Sequence, residues 1–383
     1  MWVVGWCALL FATAGTDPSV AGRPTELVQR RKPFSGLPAS DVMAVMCIGD
    51  SWMTGLNAAQ YRHAWQVRSM ASDFRGGAWA CGNGEVVPGL RLETLGTLMR
   101  RANPRLFGLS SGSTPTTSPC KKGLDRSNCS LNVATDGAVV GDVYSNALLS
   151  SPSMHVRNGA KNTLIEQARS LARYSNKEKR PWAGQWKVIN VLALWGDQWW
   201  SARNLTMMRD GCRSLLGHLR TMRPIYVNLL AISDKPSSIS ALGDYDPWCA
   251  LSMAAWKLRV KSLYGTNFND PETADPFAAQ VNQLLLSLAE EFDQGGTLDD
   301  GFVVRFQPVL RGFTFQQRLG DPFTCFHPTL ELSSAVAWGL LQNMQAAAGE
   351  GVDTLPIYAS SSAPDDSRIA RLKQSPIRSL VYR

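Results

Sequence analysis

At 44% hydrophobic and only 18% charged, the 383 residues have the balance of a globular chain with a sizeable core, which excludes a disordered or fibrous protein. The formal charge of +8 is dispersed, with Arg30-Arg31-Lys32 the only tight basic cluster. It therefore suits contact with an anionic membrane surface and argues against a nucleic-acid partner.

The first fourteen residues, MWVVGWCALLFATA, are apolar, carry no charged side chain and end in the small-x-small step Ala12-Thr13-Ala14. They read as a cleaved secretion signal, the alternative being a buried N-terminal segment. No later stretch approaches the roughly 20 apolar residues that span a bilayer, so a secreted protein in an extracellular or secretory-pathway compartment is expected. Residues 15–40, rich in Gly, Pro, Ser and charge, read as an N-terminal extension.

One large domain is expected over residues 41–348. Its first strand is the apolar run Val42 to Ile48, which stops at Gly49-Asp50-Ser51 and places a serine hydroxyl where a strand ends. From Leu90 the sequence LRLETLGTLMRRAN sets Leu92, Leu95, Leu98 and Met99 on one helical face. Leu106 to Cys120 reads as a short strand and then a Gly/Ser/Thr/Pro-rich loop, and Ser130 to Ala138 as a short apolar step ending in Asp136-Gly137. A helix containing Leu164, Ala168 and Leu171 precedes the strand from Trp186, which stops at Gly196-Asp197. A helix over Leu205 to Met222, a strand from Ile225, a helix from Phe277 to Phe292, the strand FVVRFQP and a helix from Leu330 to Met344 complete the order. Strands alternating with helices predict an α/β fold, a mostly parallel sheet with helices on both faces. Residues 349–383 lack an apolar period and are expected to be a disordered tail.

Cys47, inside the first strand, reads as a buried free thiol. Cys81, Cys120, Cys129, Cys212, Cys249 and Cys325 form an even set for disulfides, Cys120–Cys129 being the most local of 15 connectivities. No metal-ligand spacing is present, and no cofactor is expected. Asn128-Cys129-Ser130 and Asn204-Leu205-Thr206 fit the glycosylation acceptor pattern of a secreted glycoprotein.

Four histidines exist. His63, His155 and His218 read as structural, whereas His327 lies in DPFTCFHP immediately before the last helix, in a loop leaving the sheet near Ser51. A serine with a loop histidine is the logic of acyl transfer: imidazole takes the hydroxyl proton and close-approach amides, here expected from Gly137 and Gly196, stabilise the oxyanion. Trp195, Trp199 and Trp200 read as core or as the lining of an acyl groove.

The blocks IGDSWMTG, YRHAW, LNVATDGA, WKVINVLALWGDQ, RNLT, FVVRFQPV and CFHPT, in this order, resemble the GDSL (SGNH) hydrolases, and within them the phospholipase B-like lipases. The resemblance runs from about Asp41 to about Met344. It implies a three-layer α/β/α sandwich and hydrolysis of carboxylic esters, with phospholipid acyl esters as substrate. It also implies Ser51 as nucleophile and oxyanion amide, Gly137 as second oxyanion donor, and His327 as base. Two positions depart from the family pattern: Gly196 stands where the family has an oxyanion Asn, and Thr324 where it has the acid three residues before the histidine. Asp321, six residues before His327, is the remaining candidate to orient the imidazole. The alternative expectation is a catalytically impaired relative that binds lipid or a partner in the same cleft. A basic carbohydrate- or nucleic-acid-binding module is the third. Oligomeric state, head group and chain length have no signature in the sequence.

Overall fold

The computed structural model describes residues 37–55, 72–87, 89–112, 114–115, 129–136, 138–140, 162–176, 180–194, 204–238, 271–293, 300–314, 327–328 and 330–345. The proposed signal, most of the extension and the tail lie outside these residues. Leu37 and Ala39, from the end of the extension, are buried in the main hydrophobic core.

Four parallel strands form the central sheet in the order β1-β6-β7-β8: β1 (Val42–Ile48), β6 (Trp186–Val191), β7 (Ile225–Leu230) and β8 (Phe302–Gln307). Every residue of β7 is buried, as is almost all of β1 and β6. Since successive strand side chains point to opposite faces, burial of all of them requires a layer on each side. The covering helices are α2 (Leu95–Ala102), α3 (Leu164–Ser175), α4 (Leu205–Arg220), α5 (Pro271–Phe292) and α6 (Leu330–Gln345), following the short α1 (Ser51–Thr54). They pack as two groups, α3 with α4 and α4 with α5, and α2 with α6. The result is the expected α/β sandwich with a mostly parallel sheet. Two small antiparallel ribbons lie outside it: β2 (Ser72–Asp73) with β5 (Thr114–Pro115), and β3 (Glu85–Val87) with β4 (Leu90–Arg91).

The outer edge of β1 is covered too. Isolated parallel bridges join Ala44 to Phe107 and Cys47 to Asn132, and backbone bonds continue that ladder from Val45 N–H to Phe107 O and from Val133 N–H to Cys47 O. Two pieces of chain, one around Phe107 and one over 131–133, thus share the place of a fifth strand. This is how the short apolar step before Asp136 is brought alongside the strand that leads to Ser51.

The helix expected from Leu90 begins only at Leu95. Thr94 caps it, accepting from Thr97 N–H while the Thr97 hydroxyl accepts from Thr94 N–H, a reciprocal capping box. Leu90 and Arg91 lie in the β3–β4 ribbon instead. An apolar period does not mark where a cap interrupts it.

Cys47 is not a free thiol: it is bridged to Cys81, the two Cα atoms 6.1 Å apart. A buried cystine is as apolar as a buried thiol, so the strand pattern around Cys47 is blind to the difference. Cys129 is disulfide-bonded as well; its nearest sequence candidate, Cys120, lies outside the described residues.

A row of buried amides crosses the sheet. Cys47, Asn190 and Asn228 are register partners on β1, β6 and β7. Asn228 Nδ2 donates to Asn190 Oδ1 at 2.8 Å, and Gln307 Nε2 donates to Asn228 Oδ1 at 2.7 Å. Each amide left unpaired at this depth would cost about 1–3 kcal/mol, so the row favours this register over a one-residue slip.

At the opposite end of the strands from Ser51, Lys187 is fully buried and its ammonium donates to the carbonyls of Ala183 and Gln185 at 2.8 Å and of Trp182 at 3.4 Å. Three acceptors match three protons, while burial pushes its pKa down to about 8 from 10.5. Between those values the unfolded chain holds a proton that the folded chain has released, so folding stability rises with pH through that window. In urea melts at pH 8 and pH 10, the midpoint is expected to rise in the wild type relative to Lys187→Met. Parallel pH dependences would contradict this assignment.

Candidate active site

Ser51 begins α1 directly after β1, at the carboxyl edge of the parallel sheet, where open α/β sheets place their ligands. The turn is tightly specified. Asp50 caps α1, its Oδ1 accepting from Trp52 N–H at 3.1 Å. Gly55 ends it in the left-handed conformation (φ 71°), its N–H donating to Ser51 O, and a Cβ there would lie 2.5 Å from Phe74 O. Glycine is required at that position by both conformation and space.

Gly49 is gripped from two sides. Its N–H donates to Gln167 Oε1 at 3.0 Å, and its carbonyl accepts from Gln167 Nε2 at 3.1 Å and from Thr135 N–H at 3.0 Å. A Cβ on Gly49 would stand 2.5 Å from Met53 Cγ. The bond from Thr135 ties the segment leading to Asp136 to the approach of the serine turn.

His327 closes the geometry. Its Nε2 lies 2.8 Å from Ser51 Oγ although the two residues are 276 positions apart, and both are buried, at 3% and 8% exposure. In the tautomer that leaves Nε2 unprotonated, the serine hydroxyl donates to it, the arrangement a general base needs to take that proton. Pro328 follows, and α6 begins two residues later. The helix is anchored from its middle: Trp338 Nε1 donates to Glu93 Oε2 at 2.8 Å and the Ser334 hydroxyl to Glu93 O at 3.2 Å. Phe313 packs edge-on against Trp52 with ring centroids 5.7 Å apart, bringing the segment after β8 beside the serine turn.

Beneath the serine lies a buried ionic network. The Thr54 hydroxyl is 2.9 Å from Ser51 O and 3.0 Å from Asp73 Oδ1. Asp73 Oδ2 accepts from Arg75 Nη2 at 2.7 Å, and the Arg75 guanidinium also donates to Ala134 O at 2.9 Å, to Asn132 Oδ1 at 3.2 Å and to Asn132 O at 3.3 Å. Asn132 Nδ2 donates in turn to Met53 O at 2.9 Å. Burial pushes the Asp73 carboxyl above its ordinary value; Arg75 opposes that rise and Asp136 adds to it.

Of the residues singled out in the sequence, the structure brings Ser51 and His327 together. Gly137, Gly196, Asp321 and Thr324 lie outside the described residues, as do His63, His155, Trp195, Trp199 and Trp200. His218 is a helical residue of α4, as its sequence context suggests. Thr54, Asp73, Arg75, Asn132 and Gln167 were missed. Only Gln167 had a local signal, a polar residue on the buried face of α3 between Leu164 and Leu171.

Among the described residues no cluster of His, Cys, Asp or Glu forms a metal site, and no helix is long and apolar enough to cross a membrane. No family model matches the chain, and no curated protein matches it.

Proposed function

We propose that the protein is a secreted serine ester hydrolase of the GDSL (SGNH) type, acting on carboxylic esters and, by its resemblance to phospholipase B-like lipases, on phospholipid acyl esters. The observation that carries the reading is the 2.8 Å approach of His327 Nε2 to Ser51 Oγ at the carboxyl edge of a parallel sheet. In the proposed reaction His327 accepts the Ser51 proton as Oγ attacks the ester carbonyl. The imidazolium then returns that proton to the leaving alcohol, and a water activated in the same way releases the acid. Gly137 and Gly196 are the proposed oxyanion amides beside that of Ser51, and Asp321 the proposed partner of the imidazole. The Cys47–Cys81 bridge supports an oxidising, secretory destination. Asn204 is exposed at the start of α4, where a glycan has access.

Treatment with a fluorophosphonate probe tests the reading, because the probe reacts with an activated serine and not with an ordinary hydroxyl. Stoichiometric labelling of the wild type and none of Ser51→Ala is expected. A folded wild-type chain that resists labelling and binds phospholipid vesicles without hydrolysing them would replace the enzyme with a lipid-binding relative of one.

A further inference from the structure

Resting on the hydrolase reading, we infer that Thr54, Asp73 and Arg75 form a positioning unit that sets the serine turn against the segment leading to Gly137. The geometry joins two otherwise independent pieces of chain. Thr54 bridges the Ser51 carbonyl to the Asp73 carboxylate, and Asp73 holds Arg75. Arg75 grips the 132–134 backbone through the carbonyls of Asn132 and Ala134, while Asn132 returns a bond to Met53 O inside α1. Asn132 Oδ1, itself held by Arg75, accepts from Ala134 N–H, so the conformation of the segment is set by the same cluster.

All four side chains are buried, Thr54 and Asn132 completely, Arg75 and Asp73 at 1% and 4% exposure. Held in low dielectric, such bonds are short of competing water and define one arrangement. An acyl-transfer site needs this: the nucleophile and the amides that receive the oxyanion must hold a fixed separation, and an error of about 1 Å between them costs on the order of a hundredfold in rate. A guanidinium, whose N–H donors form a rigid fork, fixes several acceptors relative to one another in a way a freely rotating ammonium does not.

The unit predicts a loss in turnover without a loss in substrate binding. Thr54→Val keeps the shape and removes the hydroxyl, and it is expected to lower kcat on a short-chain p-nitrophenyl ester roughly thirty- to hundredfold. KM should stay within about twofold, and the fluorophosphonate labelling rate should fall in parallel with kcat. Thr54→Ser, which restores the hydroxyl without the methyl, is expected to recover most of the turnover. Asp73→Asn is the second variant, with a matching loss of kcat. Folded variants with wild-type kcat, or a Thr54→Ser variant as slow as Thr54→Val, would overturn the positioning role while leaving the hydrolase reading intact. A folded wild-type chain with neither labelling nor turnover would remove both.

Discussion

Replacing His327 by alanine is expected to lower kcat/KM on short-chain esters by about 10⁴- to 10⁶-fold, the range seen when the histidine of a serine hydrolase is removed. That corresponds to roughly 5–8 kcal/mol of transition-state stabilisation. The reason is geometric. Among the described residues His327 is the group facing Ser51 Oγ at hydrogen-bond distance that is able to take its proton, and a serine hydroxyl without a base is a poor nucleophile. The measurement is initial rate under subsaturating substrate, with a melting curve to show that the variant folds. Activity within tenfold of wild type would dismiss His327 as the base. The same assay separates candidates for the imidazole's orienter: Asp321→Asn is expected to reduce kcat strongly and Thr324→Ala to leave it nearly unchanged. The reverse order would discard Asp321.

The largest effect on stability is expected from the Cys47–Cys81 bridge. It closes a loop of 34 residues, and in the chain-entropy view a cross-link of that length restricts the unfolded ensemble by about 3–4 kcal/mol. The bridge ties β1 to the segment around Cys81, in which Trp79 Nε1 donates to Trp52 O at 2.9 Å and Cys81 O accepts from Ser110 N–H at 2.9 Å. The double variant Cys47→Ala/Cys81→Ala is therefore expected to lower the denaturation free energy by about that amount and to loosen the serine turn. Using the double variant in place of a reductant spares the bridge at Cys129. A free-energy loss below about 1 kcal/mol in urea titrations would show that packing alone holds the segment.

His327 and the Cys47–Cys81 bridge differ in how far each shows in the sequence. His327 was singled out in sequence because a histidine before a final helix, downstream of a strand-ending serine, has a clear chemical use. Its partner across 276 positions was the expectation, and the structure supplied the distance. The bridge ran the other way. Cys47 looked like core because its neighbours are apolar, and nothing in a strand pattern says that another cysteine approaches its side chain. Pairing of cysteines is a property of loops brought together by the fold.

The strands and helices were legible for a similar reason to His327. Val42–Ile48 and Ile225–Leu230 are short, largely apolar runs bounded by turn residues, and their burial on both faces is written in the run itself. The start of α2 was not, because the apolar spacing from Leu90 to Met99 continues through the Thr94 cap. The segment around Asn132 was legible as a short apolar step. Its place along β1 was not, because its hydrogen bonds are shared with the piece around Phe107.

By itself, then, the sequence determined the alternation of strands and helices and the turn at Ser51, and it singled out His327. These are local: each depends on periodicity or on the chemistry of a few adjacent side chains. Only the tertiary structure decided that Ser51 and His327 meet, that Cys47 pairs with Cys81, and that Thr54, Asp73, Arg75 and Asn132 form one buried network under Ser51. Residues that act by holding other residues carry no periodicity and no motif. Their polar atoms acquire a purpose only when folding removes water and leaves them only one another as partners.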